Sequence, residues 1–141
     1  MKRLIVCLGL LAYAACSGGS NAGSSTTPSS PPLAPTNEVF TGTVPVGGSA
    51  THAFSVRLSN GQVTATLTAA GPPPTIAMGL GIGVVSNGVC SLLNNGAILA
   101  TPGTSPQWAA TNFSTGTYCV AVFDAGNQSA DVTYSVTVTH Y

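Results

Sequence analysis

The chain has 141 residues, with only three basic and three acidic side chains: Lys2, Arg3 and Arg57 against Glu38, Asp124 and Asp131. A nucleic-acid reader needs a basic footprint to meet phosphates, and none is present. Disorder by sparse hydrophobicity is also excluded, because 44% of the residues are hydrophobic and β-branched residues are plentiful after residue 38. The length suits one domain with an extension, and its solubility must rest on Ser, Thr, Asn, Gln and Gly.

The first segment reads as an address. Met1-Lys2-Arg3 is positive, and Leu4 to Ala15 is apolar but too short to span a bilayer. Ala12, Ala14 and Ala15 close it with small residues, the pattern of a secretory signal peptide over residues 1–15. The placement of Cys16 resembles the lipobox of bacterial lipoproteins, in which the cysteine is acylated and becomes the mature N-terminus. Tyr13 stands where that motif usually has an aliphatic residue. Cleavage after Ala14 by ordinary signal peptidase, giving a secreted protein, is the alternative.

Cysteine arithmetic supports the lipid. Cys7 leaves with the signal segment, and Cys90 and Cys119 can form a disulfide. Cys16 would then be a lone thiol in an oxidising compartment unless acylation caps it. A lipidated protein stays on the membrane by burying acyl methylenes. Ser17 is not Asp, and by resemblance to Gram-negative lipoproteins nothing specifies inner-membrane retention, so the expected location is the outer membrane. Residues 16–36 then form a tether of Ser, Gly, Thr and Pro, flexible at first and stiffer where Pro28, Pro31, Pro32 and Pro35 fall.

Residues 37–141 carry strand periodicity. Glu38 to Pro45 is an opening strand, and Ala50 to Ser59 sets Phe54, Val56 and Leu58 on one face. Asn60-Gly61 predicts a hairpin into a strand with Val63, Ala65, Leu67 and Ala69 alternating. Pro72-Pro73-Pro74 breaks the ladder. A run follows with Ile76, Met78, Leu80, Ile82 and Val84 on one face and Gly79, Gly81 and Gly83 on the other. Such a flat strip needs a covering side chain from Trp108, Tyr118 or Phe113, or else forms an open platform. Asn87-Gly88 turns again, residues 91–106 read as irregular, and residues 107–113 as a short strand. Tyr118, Val120 and Val122 alternate with Cys119, Ala121 and Phe123; after Asp124 to Asn127, Val132, Tyr134, Val136 and Val138 alternate with polar residues. That pair predicts a C-terminal hairpin at the sandwich centre. The whole predicts an all-β domain: an antiparallel, jelly-roll-like β-sandwich of seven to eight strands.

Residues 38–139 resemble the bacterial pre-peptidase C-terminal domain family, a small β-sandwich. The matching pieces are FTGTVPVGGSATHAFSV, GQVTATLTA, STGTYCVAVFDAGN and VTYSVTVTH. The resemblance implies a non-catalytic targeting or binding module of the kind that accompanies secreted peptidases; Cys119 departs from the family pattern.

Chemistry-bearing residues are few. His52 and His140 are candidate acid–base groups, with His140 expected to fray near the chain end and His52 to be a solvated or edge residue. No nucleophile elbow and no zinc-ligand spacing appear. Asp124 and Asp131 are calcium candidates, with turn capping the leading reading for Asp124. The sequons at Asn112 and Asn127 read as coincidences. Trp108 and Tyr141 are expected as exposed aromatics for saccharide binding. The expectation is a non-enzymatic, cofactor-free, lipid-anchored envelope module whose partners are the membrane and an envelope polysaccharide or protein. An accessory subunit of a separate secreted hydrolase is the alternative, and a small hydrolase a remote one.

Overall fold

The computed structural model describes residues 31–141. The signal segment, Cys16 and the first part of the tether lie outside the described residues. Eight strands follow: β1 (Thr36–Val44), β2 (Ser49–Val56), β3 (Gly61–Gly71), β4 (Met78–Ser86), β5 (Val89–Ala100), β6 (Trp108–Phe113), β7 (Gly116–Phe123) and β8 (Val132–His140). They form two four-stranded antiparallel sheets, β1-β8-β3-β6 and β2-β7-β4-β5. First pairs with last, second with seventh, third with sixth and fourth with fifth. A ribbon folded at the β4–β5 tip and wrapped into two layers has this order, which is the jelly roll.

The tip is a two-residue hairpin. Asn87 and Gly88 both have positive φ (51° and 78°), and Ser86 faces Val89, so the turn twists with the strands it joins. The two hairpins that the sequence predicts are corrected. Asn60-Gly61 links β2 to β3, which lie in different sheets; Asn60 alone takes positive φ (59°), turning the chain across the sandwich. Tyr141 O accepts from Arg57 N (2.6 Å) and Leu58 N (3.2 Å), tying down that corner. Likewise β7 and β8 belong to opposite sheets. A strand's periodicity reveals its buried face and not its partner, so a turn between two alternating runs fits a crossing between sheets as well as a hairpin. The stretch expected to be irregular is β5 as far as Ala100, with pairing interrupted at Leu93–Gly96, which stand opposite Ile82 alone.

The alternation places the core as expected. Phe54, Leu67, Met78, Leu80, Ile82, Val120, Val122, Val136 and Val138 are buried between the sheets, each aliphatic side chain contributing about 1.5–3 kcal/mol. Val84, predicted on the same face, emerges at 37% exposure; Leu58, past the end of β2, and Ala69, beyond a register shift after Leu67, are exposed as well rather than inward.

The glycine strip of β4 lies on the outside of its sheet and is closed by packing. None of the three aromatics expected there covers it. A Cβ at Gly79 would stand 2.1 Å from the Phe123 ring, one at Gly81 2.9 Å from Leu92 Cδ2, and one at Gly83 2.4 Å from Ser91 O. Phe123 is on the outward side of β7, whereas Trp108, Phe113 and Tyr118 point into the sandwich. Over Gly83 the backbone of β5 itself lies on β4. That fold-over allows the Cys90–Cys119 disulfide, whose Cα atoms are 5.9 Å apart. β5 and β7 flank β4, and strands two places apart in a flat sheet stand about 9–10 Å apart.

Candidate functional site

His52 lies on β2, an edge strand of its sheet, as the edge reading has it, and neither histidine stands free in solvent. Both face inward along the side where β1 and β2 are the outer strands. His52 is half-buried, stacked on Phe40 (centroids 4.9 Å apart, planes 10°) and hydrogen-bonded to the Tyr134 hydroxyl (2.6 Å). Burial pushes the Tyr134 hydroxyl above its usual pKa. His140 is buried in β8 against Phe54, and its Nε2 donates to Glu38 Oε1 (2.7 Å). The expected fraying is absent because Thr36 pairs with His140 in the ladder. Each imidazole is committed to packing and a strand-to-strand bond, which supports a structural role over acid–base chemistry.

Asp124 takes the turn-capping role, the leading reading, in place of the calcium one. Asp124 Oδ2 accepts from Gly47 N (2.8 Å), and Oδ1 from Gly126 N (2.7 Å), Asn127 N (3.2 Å) and Gln128 N (3.3 Å). These donors, Gly47 first, hold the carboxyl below its usual pKa. Donors aimed at both oxygens suit an anion and repel a cation. Asp131 is exposed, and no group of three His, Cys, Asp or Glu among the described residues could hold a metal ion. Asp124 caps the turn and clasps the β1–β2 connection.

Trp108 is not an exposed platform. It faces Ala65 across the β3–β6 ladder, is only 7% exposed and meets Phe113 edge-on at 6.1 Å. Inward register put it in the core. Tyr141 is half-buried at the β2–β3 corner described above.

The better site was not marked in the sequence. A groove of about 290 Å³ opens on the opposite side of the sandwich, where β5 and β6 are the outer strands. Val84 and Tyr118, register partners on β4 and β7, line it together with Leu93 of the β5 interruption. The facing wall is the end of β6, from Ala110 to Phe113, with Ser114 beyond it. Here Thr111 and Asn112 stand opposite Gln62 alone, a β-bulge, and Asn112 has φ of 66°. Bulges re-aim side chains and recur beside binding sites.

Tyr118 is fixed in this groove. Phe113 meets it edge-on at 4.9 Å, Phe54 stacks at 6.1 Å, and its hydroxyl donates to Ser114 O (3.1 Å). The side chains of Thr111, Asn112 and Ser114 form no hydrogen bond within the described residues, and no Asp, Glu, Lys, Arg or His lines the groove. The signal that could have located it is Asn112 within an otherwise alternating β6. A second depression, of about 460 Å³, lies over β3 and β8 near Gly71 and Pro72. Its hydroxyls are already bonded, Thr133 to Gly71 O and Ser135 to Thr68.

Compared with protein-family models and with curated proteins, the chain matches none.

Proposed function

We propose that the chain is a non-enzymatic binding module of the cell envelope, exported by its N-terminal segment, held by a lipid on Cys16 and carried on a Ser/Gly/Thr/Pro tether. The observation that carries the binding role is the neutral groove beside β5 and β6, built from a braced tyrosine and unengaged hydroxyl and amide side chains. Small-molecule sites typically join an apolar surface to a few placed polar groups. The acid–base candidates give the complementary support. His52, His140 and Asp124 are each spent on holding strands or turns together. The N-terminal pattern and the leftover thiol support the anchor.

Two measurements test this reading. Wild-type protein takes up palmitate and fractionates with membranes, and Cys16→Ser abolishes the label and releases the chain. Label that persists in Cys16→Ser removes the anchor. Isolated envelope sediments the soluble Cys16→Ser chain; lack of co-sedimentation removes the binding role.

A further inference from the structure

We infer that the groove beside β5 and β6 binds a single neutral sugar ring, with Tyr118 as its aromatic contact and Thr111, Asn112 and Ser114 as its hydrogen-bonding rim. This inference rests on the binding-module reading and names the ligand class of that groove.

The chemistry follows from what lines the groove. A pyranose presents C–H faces that pack on an aromatic ring and hydroxyls that need both donors and acceptors. Tyr118 offers a half-buried ring held by Phe113, Phe54 and Ser114 O, so little ordering entropy is left to lose on binding. Asn112 supplies amide donors and a carbonyl acceptor, and the two hydroxyls supply both. A charged ligand finds no counter-charge here, since Arg57, Glu38, Asp124 and Asp131 are not among the lining residues. The volume, about 290 Å³, lies just below the roughly 300–1,000 Å³ of small-molecule pockets. That fits one ring better than a long chain.

The backbone is irregular on both sides of this groove. Leu93 belongs to the four residues of β5 opposite Ile82, and Thr111-Asn112 is the two-for-one bulge of β6. Uninterrupted ladders would alternate side chains in and out. The bulge instead brings two consecutive polar residues, Thr111 and Asn112, to one groove.

The test is amide-resolved NMR titration of the full chain with methyl β-glucopyranoside and methyl N-acetyl-β-glucosaminide. Glucuronate, glucosamine and cyclohexanol serve as charged and apolar comparators. At least one of the two neutral glycosides shifts the amides of Asn112, Ser114 and Tyr118 saturably and more tightly than any comparator. Asn112→Gly, which accepts the positive φ while removing the amide, weakens binding by about 3- to 10-fold. Tyr118→Ala abolishes it, and Tyr118→Phe retains the ring contact should the alanine variant not fold. Any of the three comparators binding as tightly as the tighter glycoside, or saturable shifts confined to other residues, or none, overturns the inference. If envelope still sediments the chain in that event, the module reading survives and the sugar site alone is lost.

Discussion

His140 Nε2 donates to Glu38 Oε1 at 2.7 Å, joining the last strand of the jelly roll to the first. The imidazole is buried, and its Nδ1 has no partner among the described residues. Beside it, Thr139 Oγ1 donates to Asn37 Oδ1 (2.7 Å), so two side-chain bonds reinforce the β1–β8 ladder where the chain enters the sandwich. Replacing Glu38 by Ala leaves both ring nitrogens unsatisfied in a buried setting. The expected loss is about 1–3 kcal/mol, read from the urea midpoint at constant m-value. A Glu38→Gln variant, whose amide oxygen still accepts, recovers most of it. An unchanged midpoint in Glu38→Ala would show that the bond contributes nothing, and a Glu38→Gln variant as unstable as Glu38→Ala would show that the carboxylate charge is needed.

Asp124 predicts an acid limb of stability. Its folded pKa is lowered, chiefly by the Gly47 N–H and further by Gly126, Gln128 and Asn127. A carboxyl with a depressed folded pKa contributes stability that is fully present above its unfolded value, about 3.9. That contribution fades as pH falls through the folded value. Asp124→Asn therefore melts below wild type at pH 6 to 7, and the two converge in acid. Melting temperatures measured from pH 7 down to 2 check this. Parallel curves would refute it.

How much of this was legible in the sequence differs by level. Alternation in Leu67, Met78, Leu80, Val120 and Val136 marked the buried faces, because one-sided burial is a local property of a strand. Pairing partners were not marked. Asn60-Gly61 satisfies a hairpin's φ requirement and a sheet-crossing corner's equally well, and only the contacts of β2 with β7 decide between them. Gln107 shows the same limit. Its amide accepts from Leu67 N (2.7 Å) and donates to Thr101 O (2.8 Å), continuing the β3–β6 ladder past Trp108 with a side chain. No local pattern announces such a bond. The groove was hidden for a related reason. A bulge appears in a sequence as a break in alternation, which is how a loop appears too.

The glycines of β4 predict an ordering of mutational costs. A methyl at Gly83 meets the backbone of Ser91 (2.4 Å), whereas the nearest atoms to one at Gly79 are those of the Phe123 ring (2.1 Å). A half-buried ring can swing toward solvent, but a backbone carbonyl in a disulfide-tied strand cannot. Gly83→Ala should cost about 1–3 kcal/mol, and Gly79→Ala distinctly less. Denaturant unfolding of both variants under oxidising conditions gives the comparison. A Gly79→Ala variant as unstable as Gly83→Ala would mean that Phe123 is locked in place.

The disulfide should matter more for the groove than for the sandwich. Cys90 and Cys119 are 29 residues apart in sequence, and closing a loop of that size stabilises by about 3–4 kcal/mol in the chain-entropy model. The bond ties the start of β5 to β7, and the enclosed segment contains the β5 interruption and the whole of β6. The central β3–β8 ladder contains neither cysteine and is held by core side chains such as Leu67, Val136 and Val138. The paired variant Cys90→Ser with Cys119→Ser should therefore stay folded but less stable by about that amount. Its amide exchange should rise in β5 and β6 while staying slow in β3 and β8. Exchange accelerated uniformly across all eight strands would show instead that the bond supports the sandwich as one cooperative unit.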